Sequence, residues 1–336
     1  MKNGIYYCGT GGLGKTWILQ KIILDNQADP IRVVTPIIDF FDTQNHSVRG
    51  LQSTIKSRLQ APEAFRPYDE AIERLDAARA EGAHPSAIAS LEARANRIFI
   101  QCCQKAIVGR EVILLFDTFE RVQQRHVGRW LLKEFLPQVG DLIVAIAGRP
   151  EPAPARMPDN IVTYELKGLD PEALARIVRS RLPSAPNDVI KSIWEHTGGA
   201  PLIVNLILDL SEPQREEFIA QLGRLGKGEL VQESPELQHW LVGQFEERSA
   251  VNMVIWAMAY LRRRFDVPML KYLLENAEKW FRSTDYEMVL SDLSQSFYIK
   301  EYPHQQSHLL HDDCLLYTSD AADEGLGVDL GGRRII

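Results

Sequence analysis

The residues Gly9-Thr10-Gly11-Gly12-Leu13-Gly14-Lys15-Thr16 fit the pattern G-x-x-x-x-G-K-[ST] at every fixed position. That pattern has chemical meaning only where a strand enters it and a helix leaves it. Gly4-Ile5-Tyr6-Tyr7-Cys8 before it is apolar and reads as a strand, and Trp17 to Leu24 after it has helical spacing. The glycines let the backbone curl until successive N–H groups face one anion. The helix N-terminus adds partial positive charge at the same place. Lys15 is placed to reach the β- and γ-phosphates of a nucleotide, and the Thr16 hydroxyl to bind Mg²⁺. The bland alternative, a glycine-rich turn that binds nothing, has to explain Lys15 and Thr16 as coincidence.

The chain beyond the loop alternates strands with helices. Pro30 to Asp42 is rich in β-branched residues and marks a second strand region, with Pro36 arguing for a break or an edge position. Thr43 to Leu59 returns to helical spacing. A polar, alanine-rich block from Arg66 to Ala106 reads as two helices broken at Gly82-Ala83-His84-Pro85, its charges forming a solvated face. Val112-Ile113-Leu114-Leu115-Phe116-Asp117 and Leu142 to Arg149 are continuous apolar runs, each ending in a charge, which suits strands buried on both faces of a parallel sheet. Ile161 to Leu166 is a fifth strand candidate. The expected fold is a doubly wound α/β domain over residues 1–166, with 66–106 as a helical insertion.

After Leu166 the pattern changes. Residues 167–249 read as amphipathic helices, with Pro171, Pro186 and Pro213 near helix starts. Residues 250–313 read as helices near Val251–Leu261, Val267–Glu275 and Tyr286–Gln295, followed by strands Phe297–Tyr302 and Ser307–His311, a winged-helix order. Gly198-Gly199-Ala200-Pro201 reads most simply as a helix C-cap followed by the proline that starts the next helix.

Charge and cysteines narrow the setting. The 336 residues carry a net charge of −7, no apolar run of membrane-spanning length and no signal peptide. Of Cys8, Cys102, Cys103 and Cys314, the adjacent Cys102 and Cys103 sit in a helical pattern and suit neither a metal knuckle nor a disulfide framework, and a reducing cytoplasm is the expected compartment. Residues 314–336 do not follow from what precedes them. Cys314 to Glu324 and Val328 to Ile336 resemble a translated sequencing adapter, so the native chain is expected to be cut near Asp313 and to lack part of its start. The alternative is a polar natural tail.

Two acids and an arginine accompany the loop. Asp117, at the tip of its strand, can hold the water shell of Mg²⁺. Glu120 can polarise an attacking water, or be a surface acid or a helix N-terminal charge. Arg149 ends the next buried strand, as a solvated strand end or as a reader of the γ-phosphate. Together Gly9–Thr16, Asp39-Phe40-Phe41-Asp42, Leu114 to Glu120, Ala147-Gly148-Arg149 and Gly199-Ala200-Pro201 resemble the STAND class of signal-transduction ATPases, AAA+-like P-loop NTPases with an NB-ARC-like core. The resemblance covers about residues 1–313.

That resemblance implies ATP and ADP with Mg²⁺, a helical lid over 167–249, a winged helix over 250–313, and sensor or effector domains beyond. It makes Arg149 the sensor arginine and packs Pro201 on the adenine. His311, in Leu310-His311-Asp312-Asp313, is similar to the histidine with which the class closes its winged helix on the ADP β-phosphate; the alternative is a surface or core histidine. The implied function is a nucleotide switch in a signalling or defence regulator, with slow hydrolysis and an ATP-dependent homo-oligomer. A DNA-associated AAA+-like ATPase and a non-hydrolysing scaffold are the competing readings. Residues 251–313 hold seven Lys/Arg against nine Asp/Glu, and the would-be recognition helix Asp285–Asp292 has acids and no basic residue, which argues against a nucleic-acid partner.

Overall fold

The computed structural model describes residues 4–26, 32–150, 157–226, 228–231, 234, 237, 240, 254, 257–258, 265–277, 285–295, 299–302 and 307–310. His311, the tail 314–336 and most of the helix expected at Val251–Leu261 lie outside them. The chain divides into two compact units, one of residues 1–10 and 14–166, the other of residues 11–13 and 167–336.

The first unit is built on one parallel sheet. Its strands are β1 (Gly4–Cys8), β2 (Arg32–Val34), β3 (Ile38–Asp39), β4 (Glu111–Asp117), β5 (Ile143–Gly148) and β6 (Ile161–Glu165). In space they run β2, β4, β5, β1, β6, with β3 also on β4. β2 pairs with the start of β4 (Arg32 beside Glu111) and β3 with its end (Asp39 beside Asp117). Within the segment expected as a second strand region, β2 and β3 therefore share one strand position interrupted at its middle, on a sheet edge. Pro36 sits in the interruption, where its missing N–H breaks no ladder bond.

Side-chain alternation sends each central strand into two cores. Val112, Leu114 and Phe116 face one cluster, and Ile113 and Leu115 face the other. The smaller cluster is covered by α1 (Lys15–Asn26) through Leu19, Ile22 and Ile23. The larger is covered by α2 (Val48–Leu59), α3 (Pro62–Ala80), α4 (Pro85–Ile107) and α5 (His126–Trp130). A π-type turn, Leu131–Phe135, carries α5 into the short α6 (Leu136–Gln138).

The helical stretch expected over Thr43–Leu59 is divided. A 3₁₀ turn, Thr43–His46, ends at Ser47, whose Oγ accepts from Gly50 N at 3.0 Å and so caps α2. A serine in a polar run carries no obvious boundary mark, although it is a preferred N-cap. In the alanine-rich block the break falls at Gly82, φ +69°, and Pro85 opens α4. The charges of α3 and α4 face outward, while Phe65, Tyr68, Leu75, Phe99 and Cys103 are buried. Tyr68 Oη donates to Gln52 Oε1 (2.9 Å), Gln52 Nε2 donates to Asn96 Oδ1 (2.8 Å), and burial pushes the phenol pKa up to about 12. This chain of bonds gives Tyr68, Gln52 and Asn96 partners where α2, α3 and α4 meet.

The second unit begins with α7 (Pro171–Arg181), α8 (Asn187–Thr197), α9 (Pro201–Asp209) and α10 (Glu212–Leu222). Asp170 Oδ1 caps α7 through Ala173 N at 2.7 Å. Leu174, Ile193, Val204, Ile207 and Phe218 fill its core. Gly11–Leu13 group with this unit, in which Leu202 N donates to Gly12 O at 3.2 Å. Further on come α11 (Val267–Ala277), α12 (Tyr286–Gln295) and an antiparallel hairpin of β7 (Ile299–Tyr302) with β8 (Ser307–Leu310). Phe265, Leu270, Leu290 and Ile299 form a second cluster there together with Leu202 and Leu206 of α9.

The turn before α9 depends on glycine. Gly198 ends α8 in the left-handed region, and Gly199 follows at φ +71° with its missing Cβ 2.2 Å from Leu169 O. Gly199→Ala combines a disfavoured φ with a backbone clash, so a loss of about 2–3 kcal/mol or more is expected. Urea unfolding measures it, and an unchanged midpoint would show that the turn adapts.

Candidate phosphate and metal site

The loop after β1 has the shape the motif requires. Gly12 and Gly14 lie at φ +72° and +83°, where side chains are strained. A Cβ on Gly14 would meet nothing within 4 Å, so its need for glycine is conformational and not spatial. Gly9 N bonds Gly148 O at 3.2 Å and ties the loop's start to the end of β5. Lys15 Nζ donates to Gly9 O (2.8 Å) and Thr10 O (2.5 Å), which fixes the ammonium at the loop. α1 begins at Lys15 with no acid in its first turn, so the partial positive charge of its N-terminus favours an anion there.

Two strand ends, those of β4 and β5, bring the remaining groups to the loop. Because β5 lies between β1 and β4, the chain leaving β5 runs beside both the loop and Asp117. Thr16 Oγ1 donates to Asp117 Oδ2 at 2.7 Å, across 101 positions of sequence. Glu120 is the middle residue of the 3₁₀ turn Phe119–Arg121 and accepts from Arg149 N at 3.0 Å through Oε2. Its Oε1 lies 3.6 Å from Arg149 Nε, with both side chains less than a fifth exposed. Glu120 is therefore not a surface acid, and Arg149 is not a solvated strand end. Burial raises the Glu120 carboxyl above its ordinary range, and the Asp117 charge adds to this; the Arg149 partner pulls in the opposite sense and is outweighed.

Sequence reasoning assigned no role to Asp39 or Thr118, and both belong to this cluster. Asp39 is buried at the end of β3, and its Oδ1 accepts from Thr118 Oγ1 (2.7 Å) and Phe41 N (2.8 Å). Thr118 has φ +58°, a left-handed conformation that costs a β-branched residue on the order of 1–2 kcal/mol. Its N–H donates to Asp117 Oδ1 at 2.8 Å. The signal available beforehand was an acid closing a β-branched run, in a segment already singled out for its resemblance.

Thr16 and Asp117 offer a hydroxyl and a carboxylate oxygen within a hydrogen bond of each other. Two hard oxygen donors at that spacing, beside an anion-binding loop, fit Mg²⁺, which takes few protein ligands and completes its sphere with phosphate and water. Among the described residues no cluster of three or more His, Cys, Asp or Glu is placed to hold a metal by itself. Of the other expected site residues, Pro201 is the first residue of α9 and half-buried in the second unit, while His311 is outside the described residues.

Neither the protein-family models nor the curated proteins give a match to the sequence. Solved structures do. A Signal Transduction ATPase with Numerous Domains (STAND) protein with a tetratricopeptide repeat sensor, from Pyrococcus horikoshii, aligns over 95% of this chain at 17% identity and a TM-score of 0.53. The fold is that of the P-loop ATPases. This chain spans 40% of the length of that protein. A Walker-type ATPase of Pyrococcus abyssi (17% identity, 93% of this chain, 89% of that one) scores 0.36. The ORC1 protein of Aeropyrum pernix, solved in complex with DNA (11% identity, 96% and 88%), scores 0.37. Those two overlaps are too loose to bear on function. Within the P-loop fold, Asp117 and Arg149 both fall at the carboxyl ends of strands, where such sheets place their ligands.

Proposed function

We propose that this chain binds ATP and ADP with Mg²⁺ and hydrolyses ATP slowly, as the nucleotide switch of a larger signalling or defence regulator. The observation that carries the reading is the Thr16–Asp117 bond, which joins the phosphate loop to the strand-end acid in one oxygen-lined corner. Bound Mg²⁺ supplies charge neutralisation at the β- and γ-phosphates. Loop N–H groups and Lys15 bind the phosphates. Glu120 orients a water and accepts its proton, for which a carboxyl pKa above the ordinary range is suited. Arg149 holds Glu120 in place and is positioned to turn toward the γ-phosphate.

The same proposal takes 167–249 as the lid carrying Pro201, 250–313 as a winged helix closing through His311, and 314–336 as a non-native tail. α12 carries Glu287 and Asp292 and no Lys or Arg, which favours an intramolecular role for that helix over contact with nucleic-acid phosphates. Among the described residues no helix is long and apolar enough to cross a membrane.

The test is Asp117→Asn. It retains size and one oxygen but loses the charge that faces the metal. The Mg²⁺ concentration needed for half-maximal nucleotide affinity is expected to rise by about 10-fold or more. An unchanged Mg²⁺ titration would remove Asp117 from the metal site.

A further inference from the structure

We infer that Asp39 is a positioning residue for the metal corner, acting through Thr118 on the carboxylate of Asp117. The inference rests on the nucleotide reading above and adds a residue that reading does not use.

Asp39 and Asp117 are register partners on adjacent strands. Two buried acids side by side need their oxygens assigned to separate donors, and the structure separates them through one residue. Thr118 gives its hydroxyl to Asp39 and its backbone N–H to Asp117. To do both it holds φ +58°, which threonine does not adopt unaided. The Asp39 bond is the contact that retains it there. With Oδ1 of Asp117 occupied by Thr118 N, Oδ2 is directed to Thr16, at the N-terminus of α1. Asp39 thus sets the rotation of the acid that faces the metal without facing it itself.

The anchor is rigid on its far side. Phe40, the next residue, is stacked on Phe116 (ring centroids 5.9 Å apart) and meets Phe119 edge-on (5.8 Å). Phe40 N donates to Asp117 O at 3.0 Å, and Asn45 Nδ2 donates to Asp39 O at 2.9 Å. Fully buried aromatic packing and backbone bonds leave the Asp39 carboxylate little freedom to follow Thr118 elsewhere. Orientation by a hydrogen-bonded outer partner is how protein metal sites fix their ligands, and loss of such a partner commonly costs about 10–100-fold in metal affinity.

The experiment compares affinity for a fluorescent ADP analogue in EDTA and in saturating Mg²⁺, on the full chain. Asp39→Ala strands the buried Thr118 hydroxyl and the Phe41 N–H and risks the fold, so Thr118→Val, which removes one hydroxyl, is the main variant, with Thr118→Ser as the conservative control. The Mg²⁺-dependent gain in affinity is expected to fall by about 10-fold in Thr118→Val. Affinity in EDTA should stay within about 2-fold, and Thr118→Ser should behave as the unmodified chain. Equal losses in both arms, or an unchanged Mg²⁺ gain in Thr118→Val, would overturn the positioning role. Failure of the unmodified chain to bind in either arm would instead sink the nucleotide reading. In that case hydrogen exchange over residues 111–121 still decides the geometry. Faster exchange at the Thr118 amide in Thr118→Val supports the tie to Asp39, and unchanged exchange refutes it.

Discussion

Lys15→Ala is expected to abolish nucleotide binding while the chain stays folded. Lys15 is half-buried and its ammonium is held by loop carbonyls, so its truncation is expected to leave the core intact. Charge-assisted contacts to phosphate are worth about 1.5–3 kcal/mol each. Losing the contacts to two phosphates therefore lowers affinity by about 10²-fold or more. Calorimetric titration of ATP into both proteins measures this, with circular dichroism as the folding control. Retained affinity would place the nucleotide, if it binds, somewhere other than the loop.

Glu120→Gln is expected to separate binding from chemistry. The amide keeps an oxygen for Arg149 N but cannot take a proton, so hydrolysis should fall by about 10²–10⁴-fold with ATP affinity little changed. Stability should move the other way, and its pH dependence has a definite sign. The folded-state pKa of Glu120 is raised by burial, so the fold favours the neutral acid. Its stabilising contribution is present below the unfolded carboxyl pKa and is lost as pH rises through the raised value. Glutamine never ionises. The melting temperature of Glu120→Gln relative to the unmodified chain should therefore climb as pH rises from about 4 through the raised folded-state value. A constant difference as pH rises would mean that Glu120 has the same pKa in the folded and unfolded chain. A stability gain coupled to loss of turnover is the pattern of a functional acid held against its own desolvation cost.

The parts of this molecule that were legible in the sequence are those fixed by local chemistry. A phosphate loop needs glycine at particular turns, and Gly12 and Gly14 lie at positive φ. Strands buried on both faces need unbroken apolar runs, and β4 and β5 are such runs. Proline marks chain breaks, as Pro36 does between β2 and β3 and Pro85 does at the start of α4. What escaped was set by partners distant in sequence. The Glu120–Arg149 pair joins residues 29 apart, and the Asp39–Thr118 bond joins residues 79 apart. Neither spacing has a local periodicity that could announce it. Thr118 also sits in a backbone conformation against its own preference, imposed by neighbours that only the folded sheet assembles. The Ser47 cap is a smaller case, since one serine among polar residues does not declare which turn it closes.

The central claim is that loop, metal corner and Glu120 form one hydrolytic site. Single-turnover hydrolysis of γ-labelled ATP by excess protein tests it most directly. The unmodified chain should convert its bound ATP to ADP and phosphate with Mg²⁺ and fail to do so in EDTA, while Glu120→Gln binds ATP and leaves it intact. ATP recovered unchanged from the unmodified chain after full binding in Mg²⁺ would contradict the claim and leave a nucleotide-holding scaffold in its place.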